Sequence, residues 1–227
     1  MILSIIVPVY NEERTIINVL EKIKNNSSKE YEVIVVDDGS TDKTKELLKN
    51  NNHLYDKIIT NESNKGKGYS VKKGILNSTG SHIIFQDADL EYNPSEFNKF
   101  EKIFKNFDAD GIIGSRFVYS EFTRSHNILN KIGNTLLTFI FNVLYNTTFT
   151  DIYSCYFSFK KELIDANNLK TEGFEQHAEI LCKVIKKGNK FYEVPISYNG
   201  RNASEGKKIK ARHFFSVLFQ IIIERFK

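Results

Sequence analysis

Residues 31–48 read YEVIVVDDGSTDKTKELL, a β-rich run that stops abruptly at Asp37, Asp38 and Gly39 and passes into a helical pattern. The predicted strand is Tyr31 to Val36, with Ser40 or Thr41 placed to cap a helix running through Leu48. The same unit recurs on either side. Upstream, Leu3 to Val9 is a near-continuous apolar run, as in a strand buried on both faces. Glu12 to Lys24 then carries Ile16, Ile17, Leu20 and Ile23 at helical spacing. Downstream, Lys57 to Thr60 predicts a third strand, Lys67 to Asn77 a helix, and His82 to Gln86 a fourth strand ending in Asp87-Ala88-Asp89. Strands alternating with helices predict an α/β fold: a Rossmann-like, mostly parallel central sheet with helices on both faces.

After residue 110 the alternation loosens. Gly111 to Gly114 predicts a strand, Asn130 to Asn146 an amphipathic helix, Gln176 to Lys187 another helix and Lys190 to Ile196 a last strand. No repeat, linker or low-complexity block interrupts the 227 residues, so one domain is expected. Within it, 1–115 forms one half, 116–212 the other, and 213–227 a C-terminal amphipathic helix.

Hydrophobic residues make up 41% of the chain and charged residues 26%, which suits a folded protein rather than a disordered one. The net charge is +4, with basic residues crowding the last third at Lys207, Lys208, Lys210 and Arg212. Cys155 and Cys182 form no CxxC motif and have no neighbouring histidine pair, against a zinc site or a disulfide framework. No leader-like segment opens the sequence, and a reducing cytoplasm is the expected compartment. No stretch reaches the roughly 18 to 20 apolar residues that a bilayer span needs. Leu136 to Leu144 and Phe214 to Ile223 come closest. In the latter, Ser216 and Gln220 sit four apart and predict a polar stripe on an apolar helix, suited to a membrane surface, the domain or a second copy.

In open α/β sheets ligands bind beyond the carboxyl ends of the strands. Three polar clusters fall there: Tyr10-Asn11-Glu12, Asp37-Asp38-Gly39-Ser40 and Asp87-Ala88-Asp89. In extended backbone, Asp87 and Asp89 project to one side, and two adjacent carboxylates favour a cation. Oxygen-only ligands select a hard ion, Mg²⁺ or Mn²⁺, which could hold a diphosphate and neutralise it as it leaves. Asp37 and Asp38 are acceptors suited to ribose hydroxyls or a base N–H, or to capping the next helix. Asn64-Lys65-Gly66-Lys67-Gly68 sets flexible backbone and cations before a helix, a candidate phosphate loop. Neither GxxxxGK[ST] nor GxGxxG is present, against a P-loop kinase or an NAD enzyme. The basic cluster is local and the acidic cleft would repel phosphate without a metal, so no nucleic-acid partner is expected.

Taken together, IIVPVYNEE at 5–13, VIVVDDGSTDKT at 33–44, NKGKGYSVKKG at 64–74, FQDADLEYNP at 85–94, GSR at 114–116 and EVPISY at 193–198 resemble glycosyltransferase family 2. These are inverting transferases with the GT-A-type nucleotide-diphospho-sugar transferase fold. TDIYSCYFSFKKELI at 150–164, FEQHAEI at 174–180 and RNASEGKKI at 201–209 resemble the dolichol- or polyprenyl-phosphate sugar synthases within it. The resemblance implies nucleotide contacts from Pro8, Tyr10, Glu12 and Asp37, with Asn11, Asp38, Lys67 and Ala88 in the same strings. It implies a metal on Asp87 and Asp89 with Glu91 as a third ligand; Glu91 stands where many relatives carry Gln. Arg116, Arg201 and Lys207 would be phosphate-binding cations, and Asp151 the base or acceptor-orienting residue. Asp151, Asp89 and Arg116 are thus the catalytic candidates.

The expected reaction moves a hexose from a nucleotide-diphosphate sugar, of GDP-mannose or UDP-glucose type, to a polyprenyl or dolichyl phosphate at the cytoplasmic membrane face. A polysaccharide or glycan acceptor is the alternative, and a non-catalytic nucleotide-binding subunit a third reading. Many lipid-phosphate synthases carry C-terminal transmembrane helices, whereas here one short apolar segment follows. Lys210-Ala211-Arg212 also replaces the acidic residue and glycine that often come after EGKKI.

Overall fold

The computed structural model of the chain describes residues 2–26, 31–118, 122–124, 128–201 and 213–227. Lys207, Lys208, Lys210, Arg212 and most of RNASEGKKI lie outside them. Seven strands form one sheet: β1 Leu3–Val9, β2 Tyr31–Asp37, β3 Lys57–Thr60, β4 His82–Phe85, β5 Gly111–Ser115, β6 Phe157–Lys160 and β7 Phe191–Pro195, in the order β3-β2-β1-β4-β6-β5-β7. β6 runs antiparallel to both β4 and β5; every other pairing is parallel. The helices are α1 Ile16–Asn26, α2 Thr44–Asn50, α3 Lys67–Asn77, α4 Phe97–Phe107, α5 Ile128–Tyr145, α6 Gln176–Lys187 and α7 His213–Phe226.

Successive strand residues face opposite sides, and every residue of β5 and all but Pro8 of β1 are buried, so the sheet is covered on both sides. Pro8 lies past the last β4 partner of β1, the Ile6–Phe85 pair, so its missing N–H interrupts no bond there. The outermost strand, β3, alternates half-buried Lys57 and Ile59 with exposed Ile58 and Thr60, the pattern of an edge. Helix α3 packs on β1 and β2, with Gly74 where any side chain would run into Ile6.

Two elements exceed the sequence reading. Helix α4 buries Phe97, Phe100 and Phe104, a helical spacing in plain view. Strand β6 enters between β4 and β5, and its position depends on pairing rather than on local pattern. The capping expectation fails. Neither Ser40 nor Thr41 caps α2; Lys43 occupies that position without a side-chain bond, and Asp42 Oδ1 accepts from Thr44 N at 2.9 Å.

Helices α5 and α7 pack together, with Tyr145 Oη donating to the Ile221 carbonyl at 3.0 Å. Each turns an apolar stripe outward: Ile128, Leu129, Ile132, Leu136, Phe139 and Val143 on α5, and Phe215, Phe219, Ile222 and Phe226 on α7. On α7 the expected polar stripe is split. Ser216 is exposed, but Gln220 is buried and donates to Glu224 Oε1 at 3.1 Å. The polar pair faces inward and the phenylalanines face out. No helix among the described residues is long and apolar enough to cross a membrane.

Candidate active site

Because β1, β2, β4 and β5 share one direction, their carboxyl ends lie along one edge of the sheet. The three acidic clusters and Arg116 therefore converge on a cleft of about 670 Å³. Pro8, Tyr10, Glu12, Asp38, Lys67, Asp87, Ala88, Asp89, Glu91, Arg116 and Arg201 all line it. Asp37 and Asp151 stand behind that wall, each fully buried.

The centre is a charge cluster. Lys67, at the start of α3, pairs with Asp87. Arg201 Nη2 meets Asp89 Oδ2 at 3.0 Å, while Nη1 and Nη2 reach the two Glu12 carboxylate oxygens at 3.1 and 3.2 Å. Glu91 accepts from Tyr198 Oη at 2.7 Å and from Arg201 N at 2.6 Å. Thr15 ties the β1 loop to the β4 loop, donating to the Ala88 carbonyl at 2.7 Å. Among these residues four carboxylates (Glu12, Asp87, Asp89, Glu91) face two cations (Lys67, Arg201). Burial, reinforced by the Asp87 and Glu91 charges, pushes the Asp89 carboxyl up to about 7. Burial would also raise Asp87, but Lys67 outweighs it and holds that carboxyl below its usual range.

No group of three His, Cys, Asp or Glu side chains among the described residues is arranged as a metal site. Asp87 and Asp89 nonetheless fit a hard divalent ion. They are hard oxygen donors in a cluster with surplus negative charge, and a further cation would relieve the repulsion that raises Asp89. Glu91 is less available, since Tyr198 and the Arg201 amide already occupy its oxygens.

The second cluster serves to build the site. Asn11, in left-handed backbone (φ 51°), accepts from Thr41 N at 2.8 Å and pins the β1 loop to the β2 loop. Asp38 accepts from Asn61 Nδ2 at 2.7 Å, Lys65 N at 3.0 Å and Gly66 N at 2.8 Å, so both its oxygens are spent ordering the loop before α3. Asp37 Oδ1 accepts from Ser40 N at 3.1 Å, and its Oδ2 is buried with no partner among the described residues. The phosphate-loop expectation meets an obstacle at the α3 terminus. The Gly68 amide donates to the Glu172 carbonyl at 2.7 Å, and that carbonyl also receives the Tyr69 amide.

On the other side, Arg116 embraces Asp151 with Nε and Nη2, at 2.7 and 2.8 Å, while its own backbone amide donates to Asp151 at 3.1 Å. Asn134 from α5 adds a bond to Asp151 Oδ1 at 2.9 Å. Burial opposes ionisation of Asp151, but the guanidinium prevails and keeps its carboxyl below the usual range. Asp151 thus has its oxygens on Arg116 and Asn134 rather than open to the cleft. Arg116 also stacks 5.0 Å from the Tyr198 ring centre.

Sequence reasoning gave no role to Asn134, Ser154, Gln176 or His177, which also line the cleft. His177 Nε2–H donates to the Ile152 carbonyl at 3.0 Å. Burial, with Lys67 nearby, drops its pKa to about 4, so it is neutral near pH 7. FEQHAEI carried Gln176 and His177 as part of a likeness, but only contacts distant in sequence reveal where they point.

The sequence model of "Glycosyl transferase family 2" matches residues 4–167, more than half the chain. The chain belongs to glycosyltransferase family 2. Relatives of the same family carry more detail. An uncharacterised protein of Methanocaldococcus jannaschii is 30% identical over 97% of this chain and 91% of its own. A dolichol-phosphate mannosyltransferase of Pyrococcus furiosus is 30% identical over 97% of this chain, which spans 63% of that protein's length. The low-salt glycan biosynthesis hexosyltransferase Agl6 of Haloferax volcanii is 30% identical over 88% of this chain and 48% of its own. Among solved structures, glucosyl-3-phosphoglycerate synthase of Mycobacterium tuberculosis, crystallised with Mn²⁺, UDP and glucosyl-3-phosphoglycerate, superposes with a TM-score of 0.75. The match covers 98% of this chain and 79% of that one at 17% identity. The likeness establishes the GT-A-like fold, and the chain is a family 2 glycosyltransferase.

Proposed function

We propose that this glycosyltransferase moves a hexose from a nucleotide-diphosphate sugar to a polyprenyl or dolichyl phosphate at a membrane surface. The observation that carries the reading is the make-up of the cleft. Its lining combines the carboxylate and cation cluster with Leu129, Leu137, Phe214, Phe215 and Val217 from α5 and α7. Leu129 and Phe215 belong at the same time to the outward apolar stripes. A phosphate on a long apolar chain matches that pairing of charge with hydrocarbon, and the aromatic, span-free α7 is suited to lying in an interface. The basic run at 207–212 immediately precedes α7 in sequence, suited to anionic headgroups.

In this reading Pro8, Tyr10 and Glu12 flank the nucleotide, and Asp87 and Asp89 hold Mg²⁺ or Mn²⁺. That ion would supply charge neutralisation for the departing diphosphate. Lys67 and Arg201, which pair with those aspartates, sit where they would turn to phosphate oxygens as the donor arrives. The acceptor phosphate oxygen attacks the anomeric carbon from the face opposite the leaving group, and it needs positioning more than deprotonation. Asp151 then acts by fixing Arg116 for that phosphate rather than by taking a proton. The Haloferax relative favours one second reading, a glycan acceptor.

The test is donor turnover with Mn²⁺ across UDP-glucose and GDP-mannose, with and without polyprenyl phosphate, beside liposome flotation. Stimulation by the lipid phosphate and flotation with anionic vesicles support the proposal. A protein that never floats, and transfers as well to a soluble glycan, would favour the second reading.

A further inference from the structure

Most charged side chains of the cleft satisfy one another, yet three neutral ones on its far wall do not. Ser154 Oγ, Gln176 Nε2 and Asn134 Oδ1 are buried atoms with no hydrogen-bond partner among the described residues. All three residues line the cleft. Ser154 is fully buried and Gln176 is 3% exposed.

Their elements are fastened into one wall. The 152–154 segment is clipped to the start of α6 by His177 Nε2 on the Ile152 carbonyl at 3.0 Å and by Tyr153 Oη donating to the Phe174 carbonyl at 3.0 Å. Tyr153 and His177 also meet edge to face, ring centres 5.7 Å apart. Helix α5 joins through Asn134 on Asp151 and through Thr138 Oγ1, which accepts from Ile152 N at 3.3 Å. Gln176 in turn backs directly onto Gly68, where a Cβ would come within 2.7 Å of its own Cβ. This places it beside Lys67, the partner of Asp87.

A buried donor or acceptor left unmade is costly, and folding does not leave several together without a compensating partner. Here the unmet set comprises a donor (the Gln176 amide N–H₂), an acceptor (the Asn134 carbonyl) and a hydroxyl able to act as either. A phosphate offers acceptors almost alone and would favour cations; a polyol offers both functions at each carbon. We infer that Ser154, Gln176 and Asn134 form a hydroxyl-reading subsite that binds the neutral sugar ring of the donor. The inference rests on the donor reading above and deepens it by naming residues that select the sugar. These side chains act by orienting the hexose, with the charged cluster holding the diphosphate.

Calorimetry with Mn²⁺ on the wild type, Gln176→Leu and Ser154→Ala, titrated with UDP, GDP, UDP-glucose and GDP-mannose, tests it. Each variant should lose about 3- to 10-fold in affinity for the nucleotide sugar the wild type prefers, with binding of the bare diphosphate unchanged. Without ligand, each variant should melt at the same temperature as the wild type or a few degrees above, because an unmet polar atom is gone. That result separates lost recognition from lost folding, and Ser154→Ala, the smaller change, guards against misfolding in Gln176→Leu. Equal losses for sugar nucleotide and bare diphosphate, or no loss at all, would each overturn the subsite while leaving the donor reading intact. A wild type that binds none of the four nucleotides overturns both.

Discussion

The loops that follow β1 and β2 and the helices α5 and α7 border the same cleft, but they satisfy their polar and apolar groups in opposite ways. On the β1–β2 side nearly every polar side chain is committed inward: Asn11 to Thr41, Asp38 to Asn61, Lys65 and Gly66, Glu12 to Arg201. On the α5–α7 side the arrangement inverts. Gln220 and Glu224 are buried, while Phe215, Phe219 and Phe226 are more than 60% exposed. A wall whose bonds are already made has a shape before ligand arrives. A wall that turns its hydrocarbon outward is suited to a partner surface, since contiguous exposed apolar stripes mark interaction sites.

The sharpest way to break this contrast is at Asp151, a fully buried carboxylate that α5 reaches through Asn134. Asp151→Ala leaves the Arg116 guanidinium buried and unpaired and should cost about 3–5 kcal/mol of stability in denaturant unfolding. Replacing the pair together, Arg116→Met with Asp151→Leu, should recover much of it. A single variant with unchanged stability would mean that the pair is not buried as described. Next in size, Asp89→Ala should reduce turnover about 10²- to 10³-fold with every donor. Unaltered steady-state rates would remove Asp89 from the chemistry. For the apolar wall, Phe219→Ser with Phe226→Ser should abolish flotation with anionic vesicles while donor hydrolysis stays at the wild-type rate, since neither lines the cleft. Retained flotation would refute the membrane reading of α7.

The smallest effect concerns pH. Burial, with Lys160 and the N-terminus adding to it, drops His82 to about 4, as burial and Lys67 do for His177; free histidine titrates near 6.5. The unfolded chain therefore takes up protons that the fold refuses between about pH 6.5 and 4. Their contribution is complete above that window and is lost through it on acidification. Asp89, held up at about 7, works in the other direction, because the fold takes up its proton first. Thermal melts from pH 7.5 to 4.5 should accordingly fall less steeply for His82→Gln and more steeply for Asp89→Asn than for the wild type. Parallel curves for all three would contradict both assignments.

The same division governs what the sequence disclosed. β1, α3 and α6 follow their predicted limits residue for residue, because parallel strands buried on both sides and amphipathic helices write their period into adjacent positions. The convergence of Asp38, Asp87 and Asp89 followed from strand direction alone. The far wall was less legible. β6 is set by pairing with β4 and β5, and Arg201 meets Glu12 across 189 positions of sequence. Nor does sequence reveal which atoms lack partners, so Ser154 and Gln176 went unremarked within strings that drew notice for their likeness. Helix α4 is a different case: Phe97, Phe100 and Phe104 stand at helical spacing, so its buried face is written in adjacent positions.

The bond from Gly68 N to the Glu172 carbonyl has a mechanical consequence. It fastens the first turn of α3, which carries Lys67, to the segment leading into α6, which carries Gln176 and His177, and a Cβ at residue 68 would lie 2.7 Å from the Glu172 carbonyl carbon. The lysine and the two α6 side chains are thereby geared to each other. On the proposed donor reading, any shift of α6 would pass to Lys67 through this one bond, so the side chains proposed for the two ends of the donor would move together.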